Sequence, residues 1–312
     1  MMPLELQNLY HVPAEDCFLL RVGQPLCAKD RVDGIRPYQR YVRPVCHLAR
    51  THLCNQMPHP FWGKDHRVGK DLIVHFNKSG YVFVLDKNTG NIENVWPISD
   101  LKNFVKDIDR KTGNLIERVD LTMNKETLIC PSTFGARSWN SGAYNPKTGL
   151  WYNNVLEFCG YLKPVEQKVD PKDYGTGHTG SNDFGRLVMA PDGRKPGKLS
   201  ANDPLTGERK WSVDMDVPGF ACVLTTGGGL VFNGDPMGKL QAHDADTGKV
   251  LWSFNTGSGM RGGIVSYAVD GEQYILVASG WGSYAAILMP ALLPQLEKVP
   301  AASTLIAFKV SK

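Results

Sequence analysis

Six side chains able to ligate zinc crowd one stretch near the start of the chain: Cys46, His47, His52, Cys54, His59 and His66. Zinc sites use paired ligands two to four residues apart, recurring as two pairs. This spacing does not reproduce that pattern. Residues 1–57 are therefore read as an atypical, unassigned segment, with a zinc-binding module as the less favoured reading. A second chemistry-bearing group is Lys78, a lone cation in the run Asn77-Lys78-Ser79-Gly80. Taken alone it reads as a solvated turn lysine. The seven cysteines are an odd number, four of them (Cys17, Cys27, Cys46, Cys54) in the first segment, and their count does not settle the redox compartment.

The elements that must position any site are more legible. An acidic or amide residue followed by two spacers and Thr-Gly recurs five times: Asp86–Gly90, Asp109–Gly113, Asn145–Gly149, Asp203–Gly207 and Asp244–Gly248. In three cases a tryptophan follows, Trp96, Trp211 and Trp252. The phrase reads as strand, tight turn, strand, with Asp or Asn bonding its own backbone and Gly supplying positive φ. The last two copies lie one propeller-blade length apart, since blades recur at about 40–45 residues. The repeats predict an all-β chain of hairpins stacked radially as a β-propeller. Strand-like runs support this at Leu72–Phe76, Tyr81–Leu85, Leu230–Phe232, Tyr274–Ala278 and Thr304–Phe308. The Gly- and Pro-rich stretch Lys163–Ser200 is expected to be a long loop between blades, and Ile287–Leu293, interrupted by Pro290, a buried loop.

Composition excludes some functions. The net charge of +4 comes from scattered Lys and Arg with no basic stripe, which argues against a nucleic-acid partner. No apolar run approaches the roughly 18 residues of a transmembrane helix, so no membrane span is expected. Met1–Leu20 carries Glu5, His11, Glu15 and Asp16 and does not read as a secretory signal.

From Pro58 onward the chain resembles the quinoprotein alcohol dehydrogenases, eight-bladed propellers that oxidise alcohols with pyrroloquinoline quinone (PQQ) and a bound calcium or lanthanide ion. The stretches that carry the resemblance include Leu72–Tyr81, Cys130-Pro131-Ser132, Arg137-Ser138-Trp139-Asn140, Tyr144–Leu150, Gly227–Asp235, Leu251–Gly259 and Gly271–Ile275. Their order and spacing together are specific. The match corresponds to the C-terminal half of the family's catalytic propeller, which implies a partial propeller of about four to five of eight four-stranded blades over residues 58–312. An oxidoreductase, truncated or divergent, follows from this, with a non-catalytic propeller acting as a scaffold as the alternative.

The resemblance also implies roles for individual residues. A cation at the position of Lys78 bonds the quinone oxygens, where it would stabilise the negative charge that grows as hydride arrives. Ser138, Trp139 and Asn140 lie where the family sets a polar side chain against the cofactor, Ser138 replacing the more usual Asn. Phe220, Ala221 and Trp281 fall in expected inter-blade turns near the same funnel, as ligands or as packing. Cys130 and Cys159 match a disulfide pair, and Cys222 is expected to be a buried apolar residue. In Pro58-His59-Pro60-Phe61-Trp62-Gly63-Lys64-Asp65, Gly63 stands at the family's catalytic aspartate and cannot take a proton. Asp65 matches the next carboxylate and is the candidate for a displaced base or a metal ligand, or else a surface turn residue. The family's remaining metal ligands have no counterpart in residues 1–57. The implied partners are a small alcohol and cytochrome c or a similar electron acceptor, with a periplasmic location. An arc of blades would leave an apolar face at each end, which a homodimer would cover.

Overall fold

The computed structural model describes residues 71–165 and 186–310, together with the backbone at 9–10, 61–65 and 70. Every copy of the turn phrase closes a hairpin. Asp86 Oδ1 accepts the backbone N–H groups of Asn88 and Thr89 at 2.9 and 2.8 Å. Asp109, Asp203 and Asp244 do the same for their own turns, and Asn145 bonds the N–H of Lys147.

The strands that these turns join form a partial β-propeller. After β1 (Leu9–Tyr10), the first four-stranded sheet is β2 (Phe61–Asp65), β3 (Lys70–Phe76), β4 (Tyr81–Asp86) and β5 (Ile92–Pro97) in sequential order. A hairpin of β6 (Val105–Ile108) and β7 (Leu115–Arg118) follows, then β8 (Thr127–Ile129). The second four-stranded sheet joins β9 (Ala143–Asn145) and β10 (Leu150–Leu156) to β13 (Gly197–Asn202) and β14 (Arg209–Met215). Between its middle strands the chain detours through β11 (Phe158–Leu162) and β12 (Arg186–Met189), which pair with β8 as a three-stranded sheet. The third sheet is β15 (Leu224–Thr225), β16 (Leu230–Gly234), β17 (Lys239–Asp244) and β18 (Val250–Asn255). The fourth is β19 (Met260–Val269), β20 (Glu272–Ser279) and β21 (Thr304–Lys309), with β1 as its outer strand.

Alternation along each strand puts apolar side chains between neighbouring sheets. Val74, Phe76 and Val84 pack on Trp151 and Val155 between the first and second sheets. Tyr152 and Leu199 meet Val223 and Val231 between the second and third, and Phe232 and Leu240 meet Met260 and Ile264 between the third and fourth. The tryptophans that follow the turns lock one sheet to the next. Trp96 on β5 donates its Nε1–H to the carbonyl of Pro204 at 3.0 Å, and Trp211 on β14 donates to the carbonyl of Ala245 at 2.9 Å. The indole of Trp96 reaches that turn because Gly207 has no side chain: a Cβ there would stand 2.5 Å from the ring. Truncating a buried aromatic of this kind costs about 3–5 kcal/mol.

Several expectations are corrected by the coordinates. Among the described residues only one end of the arc leaves an apolar face open: Tyr81, Phe83 and Val95 of the first sheet are covered by Val105 and Ile108 of the β6–β7 hairpin. At the other end Val265 and Val269 of β19 are 50% and 48% exposed. The stretch around Ile287–Leu293 is helical, α1 (Ser283–Leu288) running into a short 3-10 turn at Met289–Ala291. Ala285, Met289, Leu293 and Leu296 are buried while Ile287 points outward, a helical spacing that the apolar run concealed. Pro290 sits in the first turn of the 3-10 segment, where its missing N–H costs nothing. Within Lys163–Ser200 the chain forms β12 and the start of a fully buried β13 rather than continuous loop. Cys222 is half-buried rather than buried.

Candidate functional site

Successive turns of an up-and-down sheet alternate between its two ends. The Thr-Gly turns of the second, third and first sheets occupy one end. The opposite end carries the β3–β4 turn with Lys78, the loop before β9 with Ser138, Trp139 and Asn140, the β14–β15 connection with Phe220 and Ala221, and the β20–β21 connection with Trp281. Trp281 thus lies between neighbouring strands of the fourth sheet, not in an inter-blade turn.

Side chains from these loops converge. Phe220 is fully buried and central: it stacks on Trp139 with centroids 6.2 Å apart, and lies 6.4 Å from Trp281 and 5.9 Å from Phe134. Ala221 is buried, and its carbonyl is taken by Asn154 Nδ2 at 2.9 Å. Ser138 and Asn140 are buried beside Trp139 in sequence, and Asn140 Oδ1 has no hydrogen-bond partner. The nearby amides Asn153 and Asn154 also hold buried, unpaired oxygens.

Lys78 is held against the loop that leads to Trp139. Its Nζ donates to the carbonyl of Thr133 at 3.0 Å, and its own carbonyl accepts the N–H of Ala136 at 3.0 Å. The fit needs Gly135, where a Cβ would lie 2.5 Å from Lys78 Cβ and where φ is +77°. Burial pushes the Lys78 ammonium below its ordinary pKa. The solvated-turn reading of this lysine is therefore replaced by a half-buried cation.

Two further cations were not singled out from the sequence. Arg137 is buried, donating from Nε to the carbonyl of Asn140 at 2.7 Å and from Nη1 to that of Phe76 at 3.3 Å. Burial lowers its pKa to about 10, and burial together with the Arg137 charge lowers that of its neighbour His75 to about 4. Arg261, at the start of β19, sets its guanidinium carbon 3.8 Å from the centroid of Trp139. Among the described residues, no carboxylate pairs with Lys78, Arg137 or Arg261. The only sequence signal for Arg261 is a cation set between Gly259 and Gly262-Gly263, in a stretch otherwise small and apolar.

A second charged cluster is self-neutralising. Buried Lys198 bonds Glu157 at 2.8 Å and Asp100 at 2.5 Å, with Arg194 and Arg209 closing the network beside a cavity of about 480 Å³. Its charges are matched within the protein, which makes it a structural element.

An aromatic cluster with Lys78 and Arg261 beside it, neither paired with a carboxylate among the described residues, is chemically compatible with a flat anionic molecule such as PQQ. The metal fares differently. Among the described residues, no group of three or more His, Cys, Asp or Glu comes together to hold an ion. Asp65 ends β2 opposite Lys70, but its side chain lies outside the described residues. So do Cys46, His47, His52, Cys54, His59 and His66 of the unassigned segment. Cys130 and Cys159 are joined as a disulfide, linking the residue that directly follows β8 to β11.

The comparisons with known proteins agree with the partial-propeller fold. The sequence family described as "PQQ: Glucose/ethanol/alcohol dehydrogenase, beta-propeller domain" matches residues 119–275. The quinoprotein alcohol dehydrogenase PedE of Pseudomonas putida is 34% identical over 220 residues, covering 67% of this chain and 34% of that protein. Lupanine 17-hydroxylase [cytochrome c] of a Pseudomonas species is 34% identical over 254 residues, covering 78% and 34%. A solved europium-containing methanol dehydrogenase superposes with a TM-score of 0.72 at 25% identity, over 81% of this chain and 47% of that one. The chain spans about a third of the length of these curated relatives. It belongs to the PQQ-dependent alcohol dehydrogenase β-propeller family.

Proposed function

We propose that the chain supplies one wall of a PQQ site in an oxidoreductase that takes a small alcohol to the aldehyde. Lys78 carries the reading: a desolvated ammonium bonded to the carbonyl of Thr133, without a carboxylate partner among the described residues, at the edge of an aromatic cluster. When bound, the quinone would supply a two-electron acceptor for the hydride of the alcohol. Lys78 would hold a positive charge where negative charge develops, a term worth several kcal/mol in a dry site. Trp139, Phe220 and Trp281 would exclude water and fix the plane of the bound molecule, and Asn140 Oδ1 would accept a hydrogen bond from it. Ser138 and Ala221 would shape the same wall. Among the described residues no group of three or more His, Cys, Asp or Glu comes together, so no step is assigned to a metal.

The Cys130–Cys159 disulfide supports maturation in an oxidising compartment such as the periplasm. The cytochrome c in the name of one relative supports a protein of that kind as electron acceptor.

Titration of PQQ into the purified protein, followed by tryptophan fluorescence, tests the proposal. Saturable binding that weakens at least tenfold in Lys78→Met is expected. Alcohol-dependent dye reduction by the PQQ-loaded protein then separates enzyme from binding module. Absence of any PQQ binding by the wild-type chain would overturn the reading.

A further inference from the structure

We propose that Arg261 is a carboxylate-binding residue at this site, receiving an acid group carried either by the flat cofactor or by the substrate. The inference rests on the reading of the aromatic cluster as a ligand seat, and it adds a recognition element that the sequence did not signal.

The guanidinium is anchored on one side only. Nη1 donates to the carbonyl of Gly282 at 2.6 Å and to Ser283 Oγ. The plane lies against Trp139, whose other neighbour is the stacked ring of Phe220. Among the described residues, Nη2 makes no hydrogen bond, and Nε is buried without a partner. Those two nitrogens form the side-on edge of the guanidinium, the two parallel N–H donors that match a carboxylate.

The edge is also held still. Stacking and the Nη1 anchor remove the rotamer freedom that a surface arginine must give up on binding, so less affinity is lost to ordering. A half-buried guanidinium whose Nε is shut off from water and that has no counter-ion among the described residues is costly to the folded protein. An incoming anion recovers that cost, which is the usual logic of a preorganised site. Ordinary cation–aromatic packing accounts for the contact with Trp139 but leaves the Nε–Nη2 edge unexplained. Lys78 and Arg137 do not duplicate the role. Lys78 is a point charge bonded to a carbonyl, and Arg137 spends both Nε and Nη1 on main-chain carbonyls.

The test uses the full chain and its Arg261→Lys variant, which keeps the charge but loses the fork and the stack. Arg261→Ala is included with circular dichroism and a urea midpoint as checks of folding, and Ser283→Ala as a milder loss of the anchor. PQQ is titrated first, with tryptophan fluorescence as the readout. Glycolate and its uncharged counterpart ethylene glycol are then titrated into PQQ-loaded protein. If the cofactor carries the acid group, Arg261→Lys weakens PQQ binding about tenfold or more, as the loss of a charge-assisted bidentate pair requires. If the substrate carries it, PQQ affinity is unchanged, glycolate binding falls by a similar factor, and ethylene glycol is unaffected. Equal affinities of wild type and Arg261→Lys for both PQQ and glycolate would overturn the assignment while leaving the PQQ site standing. Failure of the wild-type chain to bind PQQ would remove the site and this inference together.

Discussion

Acidification should weaken this fold through one buried imidazole. His75 on β3 is 8% exposed and lies close to the charge of Arg137, and its pKa drops from an ordinary 6.5 to about 4. Burial is the larger cause, since it penalises the imidazolium, and the guanidinium adds to it. In the unfolded chain the same ring takes up a proton near its ordinary pKa. Between these two values the unfolded state binds more protons than the folded state, so stability falls as pH falls. The full effect of this lowering is about 3 kcal/mol, and about 2 kcal/mol of it has been lost on reaching about pH 5. Urea unfolding of wild type and His75→Gln, each at about pH 7.5 and about pH 5, isolates this contribution. Other groups, His243 among them, titrate in both proteins and cancel. The wild type should lose about 2 kcal/mol more than the variant over that interval. Equal losses would mean that His75 is solvated or finds an acceptor for its second proton, and the account of the Arg137 neighbourhood would then be wrong.

The disulfide and the tryptophan docking give two further expectations. Replacing Cys130 and Cys159 together by Ser opens a loop with a sequence separation of 29, and loop-entropy arguments put the loss at about 3–4 kcal/mol; an unchanged urea midpoint would refute it. Gly149 and Gly207 have similar positive φ, +69° and +80°, but a Cβ at Gly149 meets nothing within 4 Å whereas one at Gly207 runs into Trp96. Alanine should therefore cost about 1–2 kcal/mol at Gly149 from backbone conformation alone, and about 1–3 kcal/mol more at Gly207 from overpacking; equal costs in thermal or urea unfolding would show that the indole does not depend on that gap.

What could be read in advance was local. An Asp or Asn that bonds the next backbone N–H groups acts within a few residues, so all five Thr-Gly turns and the strands beside them were legible. The following tryptophans were visible as a pattern, but their partners, the carbonyls of Pro204 and Ala245, belong to the next sheet. Lys78, Trp139, Asn140, Phe220 and Trp281 were pointed out only by resemblance, because nothing in their spacing brings residues 78 and 281 together. Arg261 was missed for the same reason: its meaning lies in the plane of Trp139, more than a hundred positions earlier. The helix from Ser283 was hidden by a run so apolar that its periodicity could not be seen, and the long polar stretch before Ser200 concealed a buried strand because Lys198 is neutralised by Glu157 and Asp100 at a distance.

By itself, then, the order of amino acids determined a succession of hairpins and a propeller built from them, since turn chemistry and strand alternation are short-range forces. Only the tertiary structure decided which face is capped by the β6–β7 hairpin, which charges are matched, and which are left without a partner at the loop end of the sheets. Those outcomes depend on long-range packing that removes water from some side chains and not others, and desolvation is a property of the assembled surroundings rather than of any residue.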